Sequence, residues 1–145
     1  MGNYDTGTAR IKSVFKLAEI PRVSEESLEH YLRWLKPKLI CPCILTGIES
    51  MGYFSWEERY EFGYGNPKDY EKSKEKWGSY QEEYKLHSLG NAKVEHGRDI
   101  SVPVARVSDK KQFVIPLSEL EAVDKKSKNY RLLHDYSVWH VNWGS

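Results

Sequence analysis

Apolar residues at Leu28, Tyr31, Leu32 and Leu35 recur at i, i+3, i+4 and i+7, the spacing of one helical face. Ser24 stands before Glu25 and Glu26, so a capping hydroxyl and two acids in the first turn predict a helix over residues 24–36, ended by Pro37. Upstream, residues 1–9 are polar and glycine-containing and read as a frayed end. Ile11, Val14, Phe15 and Leu17 have roughly helical spacing before Pro21, which leaves a short helix or an extended arm open. Residues 39–48 are almost continuously apolar and predict a buried strand, with Pro42 at an edge or bulge.

The second half organises around the run from Phe113 to Asp124 and the aromatic tail from Tyr130 to Trp139. Ile100, Val102, Val104 and Val107 predict one strand, residues 106–111 a turn, and residues 112–117 the returning strand. A single tight helical turn is expected over residues 118–123. Ser127 or Asn129 can cap a last helix to about Asp135, and residues 138–143 have the β-branched and aromatic content of a terminal strand. Before these, Pro67, Asp69 and Glu71 followed by Lys72, Lys74 and Lys76 give the charge order of a polar surface helix. Tyr80, Glu82, Tyr84 and Leu86 begin another strand, and residues 90–97 form a polar loop. Residues 49–67 alternate aromatics with acids and glycines. They suggest a hairpin with Tyr60, Phe62 and Tyr64 on one face and Glu57, Arg59 and Glu61 on the other.

Composition narrows the class. At 145 residues, 39% hydrophobic and 30% charged, the chain reads as one globular α+β domain, with residues 1–9 flexible. Its 22 basic and 21 acidic residues nearly cancel, so no overall field draws in nucleic acid or an anionic membrane. Neither a signal peptide nor a membrane span is evident, which makes the expected location cytoplasmic. The start Met-Gly-Asn-Tyr-Asp-Thr matches a short myristoylation pattern, but nothing polybasic follows and an accidental match is favoured.

No nucleophile elbow, phosphate loop, dinucleotide fingerprint or EF-hand loop is present, so no enzyme is predicted. Cys41 and Cys43 lack a second cysteine pair and sit among Leu39, Ile40, Ile44 and Leu45, so reduced core thiols are favoured over a metal or redox site. Trp56, Trp139 and Trp143 lack a basic stripe around them and read as core. Carboxylates are the remaining chemistry. Glu57, Glu58 and Glu61, with Glu49, could offer hard oxygens to a divalent ion, and Glu121, Asp124 and Asp135 form a second group. On residue types alone, solvated or salt-bridged acids are the favoured account of both groups.

The run Phe113-Val114-Ile115-Pro116-Leu117-Ser118-Glu119-Leu120-Glu121, with Asp124 beyond it and Asp135-Tyr136-Ser137-Val138-Trp139 at the tail, resembles the small calcium-binding family typified by CcbP. The similarity is strongest over residues 100–140, and against the family residues 49–89 look like an insertion. It implies an SH3-like small β-barrel with an N-terminal helix and a short C-terminal helix, binding Ca²⁺ through surface acids without an EF-hand and without catalysis. Carried over by position, Glu119, Glu121, Asp124 and Asp135 match acidic places of the shared motif. The chain departs from the family in being charge-balanced, with Lys125, Lys126 and Lys128 beside Asp124. Nearby ammonium groups oppose the charge accumulation that binds Ca²⁺. The alternative expectation is therefore a protein-interaction or regulatory module that keeps the barrel without the ion, and a third is a hydrolase or nuclease using carboxylates.

Overall fold

The computed structural model describes residues 3–48, 54 and 66–144. Four helices and six strands lie within them. Helix α1 spans Asn3–Phe15, so the segment read as a frayed end is helical from Asn3. Tertiary docking overrides its polar composition: Ile11, Val14 and Phe15 are buried, and Arg10 is tied to a distant aspartate. Lys16, with φ 55°, stops the helix in the left-handed region.

Helix α2 (Glu25–Leu35) forms where the pattern predicts it. Ser24 accepts from the Ser27 backbone N–H, the Ser27 side chain accepts from the Ser24 N–H, and Leu28, Tyr31, Leu32 and Leu35 are all buried. Strand β1 is confined to Cys43–Gly47, shorter than the apolar run of residues 39–48 that contains it. Ahead of it the Cys41–Pro42 peptide is cis, and the Asn129 side-chain amide bonds both the N–H (2.9 Å) and the C=O (2.7 Å) of Ile40. That one side chain satisfies the two backbone groups a neighbouring strand would have taken. Cys41 and Cys43 are free, half-buried thiols, and burial pushes Cys43 up to about 12.

Helix α3 (Pro67–Trp77) starts at an Asn66 cap and buries none of its side chains. Then come β2 (Glu83–Leu86), β3 (Lys93–Glu95) inside the expected loop, β4 (Asp99–Arg106) and β5 (Gln112–Pro116). A 3-10 turn at Leu117–Glu119 leads into β6 (Leu120–Ala122). The predicted helical turn is thus half turn, half strand. Helix α4 (Lys128–Trp143), capped by Ser127, is continuous where a short helix and a terminal strand were expected. Leu132, Leu133, Tyr136 and Trp139 form a buried helical stripe, and that packing outweighs the strand preference of Val138 and Val141.

Every strand pair is antiparallel. The sheet runs β3-β4-β2-β1-β6, and β5 lies on the other edge of β4. Ala105 and Ser101 each pair on both sides, so β2 and β3 share one edge of β4 while β5 holds the other. Among the described strands none joins β6 back to β3 or β5. Among the described residues the closed barrel expected from the family resemblance is therefore not formed, and the sheet they build is open. Helix α4 packs on β6 and the 3-10 turn, α2 on β3 and β4, and α1 bridges α2 and α4. This layer covers the inner face, where Leu45, Tyr84, Leu86, Val102, Val104 and Ile115 are buried. Among the described residues no helix is long and apolar enough to cross a membrane.

At the far end of β4, the buried Arg106 guanidinium donates to Asp109 (3.0 and 2.7 Å), Glu82 (3.1 Å) and the Lys74 carbonyl (2.8 Å), pinning α3 to the β4–β5 turn. The Arg106 hydrogen bond holds the exposed Asp109 carboxyl down at about 2, below its ordinary 3.8. A depressed carboxyl contributes stability above its unfolded value and loses it as pH falls through the folded one. Asp109→Asn should therefore lower the melting temperature at about pH 6, and the gap to the unmodified protein should close as the medium approaches about pH 2. A gap independent of pH across thermal scans would show that Asp109 acts through its turn geometry alone.

Candidate functional site

Among the described residues, the expected ligands Glu119, Glu121, Asp124 and Asp135 are not brought together in one group. Glu57, Glu58 and Glu61, together with Glu49, the hairpin proposed for that segment and Trp56, lie outside the described residues. Glu119 is buried at the end of the 3-10 turn, where its carbonyl accepts the Ile48 N–H at 2.9 Å. Asp124 is exposed and builds the turn into α4. Its Oδ1 accepts the Lys126 N–H at 3.0 Å, and its carbonyl accepts from Ser127 N (3.1 Å) and Oγ (2.6 Å). Asp135 is buried on α4. Arg10 grips both its oxygens, Nε to Oδ2 at 2.7 Å and Nη2 to Oδ1 at 3.0 Å. This two-pronged guanidinium contact supplies the positive charge an ion would bring. The hydrogen bond to Asp135 raises Arg10, while burial drives Tyr31, which feels both charges, far above its ordinary value. The Tyr31 hydroxyl itself is buried without a hydrogen-bond partner among the described residues.

Glu121 differs from these three. It lies half-buried on β6 opposite Thr46, and Thr46 lies opposite Glu83 on β2, so the three residues form one cross-strand row on the outer face. Directly opposed side chains sit about 5 Å apart at Cβ. Two carboxylates thus flank one hydroxyl where β1 leads into the Glu49–Glu61 stretch. Thr46 Oγ1 is 3.0 Å from the Tyr80 carbonyl and 2.9 Å from that of Glu82, which fixes its rotamer. Sequence reasoning missed Glu83 because it aligned Glu82 with Tyr84. The alternation Glu83-Tyr84-Lys85-Leu86, read one residue later, carries the signal.

A second polar cluster was not anticipated at all. Asp99, at the start of β4, accepts from the Ile100 N–H (2.8 Å) and Tyr136 Oη (2.6 Å) on Oδ1, and from Ser118 Oγ on Oδ2. His140 Nε2 lies 3.4 Å from Oδ2 and 2.5 Å from the Arg98 carbonyl. Burial first, and then the charge of Asp99, holds the Tyr136 phenol well above its ordinary value. Serine, aspartate and histidine are all present, but the Ser118 hydroxyl donates its hydrogen bond to the Asp99 carboxylate and not to the His140 ring, so the three do not line up as a nucleophile, base and orienting acid. The cluster ties β4, the 3-10 turn and α4 together.

Among the described residues no group of three or more His, Cys, Asp or Glu side chains could hold a metal ion. Ca²⁺ takes about six to eight oxygens, so the described carboxylates do not by themselves fit the ion. The described residues define a small α+β protein built on an open antiparallel sheet. The chain belongs to the calcium-binding family typified by CcbP, whose model, described as calcium binding, matches residues 64–140. That match takes in α3, the strands β2 to β6 and most of α4, and the ion it implies is calcium. No curated protein and no solved structure matches the chain.

Proposed function

We propose that the protein binds Ca²⁺ without catalysing a reaction, through surface carboxylates on a sheet related to a small SH3-like barrel. The family match over residues 64–140 carries this reading. The order hairpin, 3-10 turn, short strand supports the barrel kinship. The favoured ligands are Glu57, Glu58 and Glu61 with Glu121, joined by Glu83 from the same outer row. Glu119 and Asp124 flank this set, and Asp135 would enter only by exchanging Arg10 for the ion. The proposed location is the cytoplasm.

Calorimetric titration with Ca²⁺ tests the proposal. The unmodified chain should release or absorb heat with saturation, and Glu57→Gln/Glu58→Gln/Glu61→Gln and Glu121→Gln variants should each lose about tenfold or more in affinity, as expected when a charged oxygen is removed from a hard-ion site. Silence at millimolar Ca²⁺ would sink it. A second reading, a protein-interaction or regulatory module that has kept the scaffold and lost the ion, is favoured by one observation: Arg10 already neutralises Asp135. Silence in calorimetry together with a partner that co-purifies from the native host would select that reading.

A further inference from the structure

The outer face of the sheet carries a second feature, of opposite charge to the acid row. Ile44 on β1 lies opposite Lys85 on β2, Lys85 opposite Ala105 on β4, and Ala105 opposite Gln112 on β5. This second cross-strand row floors a half-enclosed cleft of about 580 Å³, to which His87, Val107 and Lys110 add walls. Pockets of a few hundred cubic ångströms with an apolar floor and a few convergent polar groups are the usual form of a small-molecule site.

Its lysines and its histidine are uncommitted. Among the described residues the Lys85 and Lys110 ammonium groups and the His87 ring have no ion pair or side-chain hydrogen bond. Arg106, which also lines the cleft, is by contrast paired with Glu82 and Asp109. Lysines facing one concavity repel one another unless an anion relieves them. The apolar floor of Ile44 and Ala105, with Val107 in the wall, would not hold a bare hydrated ion, whose shell it cannot replace. An anionic head on an apolar body satisfies both demands. We propose that this cleft binds a small amphiphilic anion, a carboxylate, sulfonate or phosphate ester whose head lies between Lys85 and Lys110 and whose body covers Ile44 and Ala105. Gln112 supplies a side-chain donor at the rim. The site is distinct from the Glu121–Thr46–Glu83 row and does not depend on Ca²⁺.

Fluorescence titration with 8-anilinonaphthalene-1-sulfonate tests it on the full chain. Binding should saturate at one equivalent, decanoate should displace the probe, and uncharged N-phenyl-1-naphthylamine should bind about tenfold or more weakly, since it lacks the charge-assisted contacts. Lys85→Glu/Lys110→Glu should weaken the probe by about the same factor, and Ala105→Trp, which fills the floor, should abolish binding while melting normally. A soluble ligand and a lipid headgroup share this chemistry. Sedimentation with phosphatidylglycerol vesicles that is lost in the double-lysine variant assigns the lipid source, and displacement by decanoate without sedimentation assigns the soluble one. Equal affinity for the uncharged probe, unsaturable binding, or binding unchanged in both variants overturns the proposal.

Discussion

Replacing Trp139 by alanine should cost about 3–5 kcal/mol, the range for emptying a large aromatic site in a packed core. Trp139 is fully buried at the point where three helices meet. Its ring lies 5.3 Å from Phe15 of α1, 5.1 Å from Tyr31 of α2 and 5.9 Å from Tyr136 on its own helix. Its Nε1–H donates to the Pro21 carbonyl at 2.9 Å, so the α1–α2 connection is bonded as well as packed. Removing the ring opens a void whose rigid aromatic walls cannot close it. The melting temperature should fall by on the order of 10 °C for a chain of this size. Trp139→Phe separates the two contributions: it keeps most of the area, loses the hydrogen bond to Pro21, and should cost about 1–2 kcal/mol. A Trp139→Ala protein that melts within a degree or two of the unmodified one would mean that the helix layer is held elsewhere.

Asp99→Ala should be nearly as damaging, for a different reason. The carboxylate receives two hydroxyls and one backbone N–H in a buried setting, and alanine leaves Tyr136 and Ser118 with donors that water reaches poorly. Unsatisfied buried donors cost about 1–3 kcal/mol each, so about 3–5 kcal/mol in total is expected. Ile100 suffers less, because its N–H also lies 3.3 Å from the Tyr136 hydroxyl. Asp99→Asn retains an acceptor oxygen at the same volume and should cost about half as much. Urea unfolding reads both variants: the midpoint should drop while the slope stays constant, since the buried area is unchanged. Losses of no more than about 0.5 kcal/mol, the scale of ordinary surface changes, would show the cluster to be incidental.

The legible parts of the fold were those specified by local patterns. α2 follows from an apolar stripe and a capping serine within a dozen residues, and the β4–β5 hairpin from alternation around a polar turn. The failures share one cause, which is that distant contacts decided the outcome. Nothing near Asn3 or Arg10 announces that Asp135 and a buried aromatic layer will hold α1 in place. Val138 and Val141 favour a strand until Tyr136 and Trp139 fix the helix from one side. The acids were visible as residue types, but their engagements were not. Asp135 is paired by a residue from the other end of the chain, and Asp99 is buried beside groups from two further elements, so neither fate could be read from neighbours in sequence.

The position of β1 has a consequence for assembly. It lies between β2 and β6, with Gly47 beside Leu120, yet it belongs to the part of the chain that the family match leaves out. A polypeptide reduced to the matched stretch would keep both flanking ribbons and lack the one that zips them together. The sheet can be completed only after the early and late thirds of the molecule have found each other, which makes that encounter a slow, high-contact-order event in its folding.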